Sequence, residues 1–87
     1  MFFVYILQSV KDKGLYVGLS GNVKKRVSFH NAGHVRSTKH RAPFLLIHTE
    51  KYETRKEARL REKYLKSYSG VREKLEIVER HELGPIV

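Results

Sequence analysis

Two apolar runs separated by four polar residues constrain this chain more than any other feature. "FFVYILQSV" (2–10) is rich in β-branched and aromatic residues, and "LYVGL" (15–19) repeats that character after "KDKG" (11–14). Such residues suit a pleated, half-buried surface, and the polar, glycine-ended stretch between them marks a reversal. Residues 2–19 are therefore expected to form a hairpin. Its second strand is expected to break at Gly18, leaving Tyr16 near the sheet end.

The rest of the chain supplies what packs on that hairpin. Asn22 can cap a helix over "VKKRVSFHNA", and Gly33 stops it. Residues 34–43, "HVRSTKHRAP", read as a polar, basic, irregular loop closed by Pro43. "FLLIHTEKY" (44–52) is a third strand. "TRKE" (54–57) has the T-x-x-E spacing of a capping box and opens the helix "RKEARLREKYLKS". "GVREKLEIVERHEL" carries Val71, Leu75 and Val78 at helical spacing and ends at Gly84-Pro85. The order ββαβαα predicts an α+β domain, a three-stranded antiparallel sheet packed by about three helices, as one unit over residues 1–87.

Charge narrows the function. The net charge is +9, and it is uneven: residues 1–49 hold eight Lys or Arg against one acidic residue, and residues 50–87 hold ten against eight. Unpaired cations over half a domain are the footprint of a polyanion, nucleic acid first, ahead of an anionic membrane. No apolar run approaches the ~20 residues of a bilayer span, so no membrane partner is expected. The absence of cysteine excludes thiolate zinc sites and fits a reducing, cytoplasmic compartment.

Projecting the first helix at about 100° per residue makes Val23 and Val27 its buried stripe. Arg26 and His30, four apart, fall at the rim beside it, while Lys24 and Lys25 point elsewhere. On the second helix Glu62 lies beside the Ala58–Leu65 stripe, and Leu60 with Tyr64 suggests packing on a second side. Each placement has a plain reading: a snorkelling arginine, a satisfied histidine, a salt-bridged glutamate, core tyrosines. Two phenols (Tyr5, Tyr16), a guanidinium, an imidazole and one carboxylate can also hydrolyse a phosphodiester. One carboxylate with phosphate oxygens and water holds Mg²⁺, and Arg26 adds a donor for developing charge. A tyrosine of reference pKa about 10 is a poor base, so nearby cations and the metal are expected to lower it. A zinc site from His30, His34 and His40 is disfavoured because Gly33 ends the helix first.

These residues resemble the GIY-YIG nuclease family. "VYIL", "YVGL", "KKR…HNAG", "STKHRAPFLLI" and "EARLREKYLKS" have counterparts, in order, in its small stand-alone members related to the nuclease domain of the bacterial excision-repair subunit. The resemblance implies a DNA endonuclease using one Mg²⁺ or Mn²⁺. Tyr5 and Tyr16 would position or activate water, Arg26 would bind the scissile phosphate, His30 would assist proton transfer or orient the tyrosine, and Glu62 would hold the metal. Two departures stand out. Phe3 replaces the glycine of the first motif, and the family's late asparagine has no counterpart; Asn22 and Asn31 are both early, and Ser67 and Ser69 are the hydroxyls nearby.

Phosphate contacts are expected from Lys24 and Lys25 and, in the loop, from Arg36, Lys39, His40 and Arg41. With no recognisable second DNA-binding domain, cutting should be structure-dependent or single-strand-directed, and a protein partner would supply any sequence specificity. The rival reading keeps the fold as a weak or inactive nucleic-acid-binding module.

Overall fold

β1 (Phe2–Ser9) and β2 (Leu15–Ser20) form the expected hairpin, and β3 (Phe44–Tyr52) pairs with the other side of β1. The antiparallel sheet has the order β2-β1-β3. This computed structural model describes residues 1–83. The helices are α1 (Val23–Asn31), α2 (Arg55–Lys66) and α3 (Val71–Leu83), with 3-10 turns at Lys39–Arg41 and Tyr68–Gly70. The order ββαβαα and the α+β class are those predicted. The predicted stop at Gly84-Pro85 lies outside the described residues.

The central strand is covered on both faces, so Val4, Tyr5, Ile6 and Leu7 are all at most 1% exposed. Val4 and Ile6 pack with Val17, Ala58, Leu65 and Ile77 on the face covered by α2 and α3. Tyr5 and Leu7 pack with Phe44 and half-buried Tyr16, Val23 and Val27 on the α1 face. Between Ile6 and Leu7 the β1–β3 register slips by one residue, so Ile6 faces His48 and Leu7 faces Leu46. This bulge reverses the alternation of β3. It turns His48, Glu50 and Tyr52 to the α2–α3 side, where Glu50 accepts hydrogen bonds from His48 (2.8 Å), Tyr52 (2.7 Å) and Arg61 (2.7 and 3.0 Å). Arg61 also pairs with Glu73. One network thus ties β3, α2 and α3 together.

Helix ends follow the sequence. The Asn22 side chain accepts from Lys25 N, and the Thr54 side chain accepts from Glu57 N. Gly33 has φ +79°, with Gly33 N donating to His30 O and His34 N to Phe29 O. That pair of bonds is a Schellman motif, which needs a left-handed residue and so favours glycine.

Four expectations are corrected. β2 does not break at Gly18; it pairs with β1 through Ser20, and Gly18 faces Tyr5. A Cβ on Gly18 would overlap the Tyr5 phenol, so the glycine makes room for that ring. On α2, Leu60 is 62% and Tyr64 42% exposed, so the helix buries only its Ala58–Glu62–Leu65 side. On α3, Ile77 is buried while Val71 and Leu75 are exposed, because the helix turns Ile77 into the core against Val4, Ile6, Ala58 and Leu65. Finally, the 34–43 loop is not wholly irregular: it holds the 3-10 turn Lys39–Arg41, and Ser9 Oγ donates to Arg41 O (2.6 Å), Val10 N to Pro43 O (2.9 Å) and Lys11 Nζ to His40 O (3.3 Å). The loop is stitched to the hairpin turn.

Candidate active site

At the β2 edge the sheet brings four of the expected groups together. Tyr5 and Tyr16 come from paired strands on the same face, their ring centres 6.4 Å apart. His30 enters from the last turn of α1, 4.8 Å from the Tyr16 ring and 6.0 Å from the Tyr5 ring. Tyr5 is hydrogen-bonded to His30 Nε2 at 3.1 Å, and His30 Nδ1 to Thr38 Oγ1 at 2.9 Å. Arg26, one turn before His30, lies close enough to affect the ionisation of both Tyr5 and His30.

His30 is fully buried, not at the rim as projected. An aromatic pocket of Tyr5, Tyr16 and Phe44 surrounds the ring, and both its nitrogens have partners, so burial leaves nothing unsatisfied. The hydrogen-bond inventory assigns the tautomer. With the Thr38 hydroxyl turned to Val35 O (3.4 Å), Thr38 accepts from His30 Nδ1–H and Nε2 is left to accept from the Tyr5 hydroxyl. Burial, reinforced by the Arg26 charge, holds His30 below its ordinary 6.5, which keeps the ring neutral near pH 7. Thr38 was not anticipated as a site residue. Its sequence signal is its place in the segment "STKHRAPFLLI", and its contact spans the Gly33 turn.

The protein's own groups do not lower the Tyr5 pKa. Burial raises it above 10.0, and the nearby Arg26 guanidinium draws it only partly back. Tyr5 is thus a neutral phenol in the free protein. Tyr16 is half-buried and borders solvent.

Glu62 is 6% exposed on α2 and contributes to the field at Tyr5. Its oxygens accept from Arg59 (2.9 Å) and Lys66 (3.2 Å). Lys66 Nζ also lies 5.9 Å from the Tyr16 ring centre, which places the carboxylate beside the phenols. The side chains of Arg59 and Lys66 are themselves 62% and 48% exposed, so both can swing away. The residues therefore fit a divalent ion held by one carboxylate, with phosphate oxygens and water completing its shell. By contrast Arg26 makes no ion pair among the described residues.

The expected phosphate contacts divide in two. Lys24, Lys25, Arg36, Lys39 and His40 are exposed, with Lys25 Nζ 5.8 Å from the Phe29 ring centre. Arg41 is different. It pairs with Asp12 at 3.0 Å and reaches Leu15 O, so it closes the hairpin turn and does not stand free in the loop. Ser67, a possible stand-in for the late asparagine, gives its hydroxyl to Tyr64 O (2.6 Å) and receives Gly70 N (3.3 Å).

The three-stranded sheet thus gathers two phenols, an arginine and a histidine on one face, with a nearly buried carboxylate on α2. Residues 1–75 match the model of the GIY-YIG catalytic domain, and the chain belongs to the GIY-YIG family. A UPF0213 protein of Staphylococcus haemolyticus is 38% identical over 78 residues, covering 88% of this chain and 93% of that protein. One of Natronomonas pharaonis is 41% identical over 68 residues, covering 77% of this chain and 79% of that protein. The solution structure of a UPF0213 protein from Bacillus halodurans superposes with a TM-score of 0.56 at 30% identity, covering 98% of this chain and 89% of that one.

Proposed function

We propose that this protein is an endonuclease that hydrolyses phosphodiester bonds in nucleic acid, DNA foremost, with one Mg²⁺ or Mn²⁺ ion held by Glu62. The observation that carries the reading is Arg26: a half-buried guanidinium with no ion-pair partner among the described residues, beside a neutral phenol–imidazole pair. A cation so placed is a ready donor for a phosphate oxygen.

The bound ion would polarise the phosphate and neutralise developing charge. The chain's own groups supply the rest. Arg26 binds a non-bridging oxygen of the scissile phosphate. Tyr16, at the solvent boundary, holds the attacking water by its hydroxyl. Tyr5 passes its phenolic proton to neutral His30 Nε2 as it accepts one from that water, and Thr38 keeps the imidazole in the receiving tautomer. Lys66, released from Glu62, is available to the leaving oxygen. Exposed Lys24, Lys25, Arg36, Lys39 and His40 draw in the polyanion without reading its sequence.

One observation favours the second reading, a domain that holds nucleic acid without cutting. Both Glu62 oxygens are already bonded, to Arg59 and Lys66. Cleavage of end-labelled single-stranded, duplex, flap and branched DNA and of RNA, with Mg²⁺ and with EDTA, separates the two. Metal-dependent cutting that Glu62→Gln removes supports the nuclease. Binding without cutting by the wild type supports the module.

A further inference from the structure

Tyr68 is 95% exposed, although an aromatic ring is the kind of surface a fold normally covers. Its 3-10 turn is firmly built. Ser67 N and Oγ both donate to Tyr64 O (3.0 and 2.6 Å), Gly70 N donates to Ser67 O (3.1 Å), and the Tyr64 hydroxyl donates to Ser69 O (3.3 Å). A Cβ on Gly70 would collide with the Tyr64 carbonyl, so the turn closes with no room to spare. The ring stands in solvent on a rigid support.

Beside it runs an open groove of about 440 Å³ lined by Tyr68, Ser69, Val71, Arg72 and Leu75. Val71 and Leu75 are 38% and 58% exposed. The Arg72 side chain is 93% exposed, and its ion-pair partner is Glu76, at 3.8 Å. An aromatic ring, an apolar floor and a cation are the parts of a site for an unpaired base and its phosphate. The groove's place in the fold gives it a purpose. Lys66, whose ammonium bonds Glu62 and overlies Tyr16, is two residues from Tyr68, a chain reach of at most about 7 Å.

We propose that Tyr68 is a stacking platform for an unpaired base next to the phosphate held at the active site, with Arg72 receiving the adjoining phosphate. The substrate class is then single-stranded nucleic acid, or a single-stranded segment beside a duplex. Inside a duplex every base face is already stacked, and only the terminal pairs offer the ring a face to take. The placement beside the scissile phosphate rests on the nuclease reading; the base-binding role does not.

The test is equilibrium binding in EDTA, where nothing is cut, of a short labelled single strand and of the blunt duplex of the same sequence. Tyr68→Ala should weaken single-strand binding about 5- to 100-fold and move duplex binding less than about twofold, with Tyr68→Phe close to wild type. Unchanged single-strand binding in Tyr68→Ala, or an equal loss on both strands, overturns the proposal. So does a wild-type dimer in sedimentation that Tyr68→Ala makes monomeric, which assigns the patch to self-association. A protein that cuts but shows no Tyr68 effect refutes the stacking alone; one that shows the effect but cuts nothing refutes the catalytic reading alone.

Discussion

The two tyrosines have different jobs because they differ in burial. Tyr5 is locked between Gly18 and His30, and Tyr16 borders solvent. Tyr16→Phe is therefore expected to slow cleavage about 10²-fold, the cost of losing the group that positions the attacking water, with its thermal midpoint unchanged. Tyr5→Phe should lose activity and also about 1–3 kcal/mol of stability, because it leaves buried His30 Nε2 without a donor. Melting curves beside rate measurements distinguish the two. Gly18→Ala should destabilise by about 1–3 kcal/mol, the usual cost of overpacking, since the buried phenol it meets has nowhere to go. A midpoint equal to wild type would mean the ring moves freely. At this scale the sequence was partly legible. Helical spacing brought Arg26, His30 and Glu62 to attention, the hairpin brought Tyr5 and Tyr16, and the family resemblance joined them, but a one-turn projection could not tell a rim histidine from one sunk among three aromatic rings. Nor could it show Thr38 reaching back across Gly33.

Among the elements, the Glu50 network makes the fold acid-sensitive. Burial pushes the Glu50 carboxyl up, but hydrogen bonds from Arg61, His48 and Tyr52 outweigh it and hold it down at about 2, against an ordinary 4.5. A depressed carboxyl contributes stability above its unfolded value and loses it as pH falls toward the folded one. Stability should thus drop between pH 4.5 and about 2. His30 adds an earlier decline. Its folded pKa is also depressed, so the unfolded chain binds the proton first and stability falls as pH drops below 6.5. Midpoints measured across this range should show both losses, and Glu50→Gln should shrink the lower one, leaving the part due to Asp12 and Glu73. A Glu50→Gln profile parallel to wild type would contradict the assignment. Element types and most boundaries were legible because capping residues, turn glycines and β-branched runs are local signals. The bulge in β3 was not. It depends on how Ile47 and His48 meet β1, and it alone decides that His48, Glu50 and Tyr52 face α2 and α3.

For the whole molecule, the +9 charge and its concentration before residue 50 predict salt-sensitive binding to any nucleic acid. Lys39 is exposed, so Lys39→Ala should reduce the slope of log affinity against log salt by about 0.7–0.9, one phosphate contact. Arg41→Ala should instead lower stability with little change in slope, because Arg41 already belongs to Asp12. Equal slopes in Lys39→Ala and wild type would move the binding surface elsewhere. The measurement that tests the central claim most directly is single-turnover cleavage of labelled DNA by wild type and Arg26→Ala, with Mg²⁺ and with EDTA, alongside their melting curves. The account predicts metal-dependent cutting by the wild type and a loss of about 10²- to 10³-fold in the variant, at an unchanged midpoint. Cutting at the wild-type rate without Arg26 would contradict it.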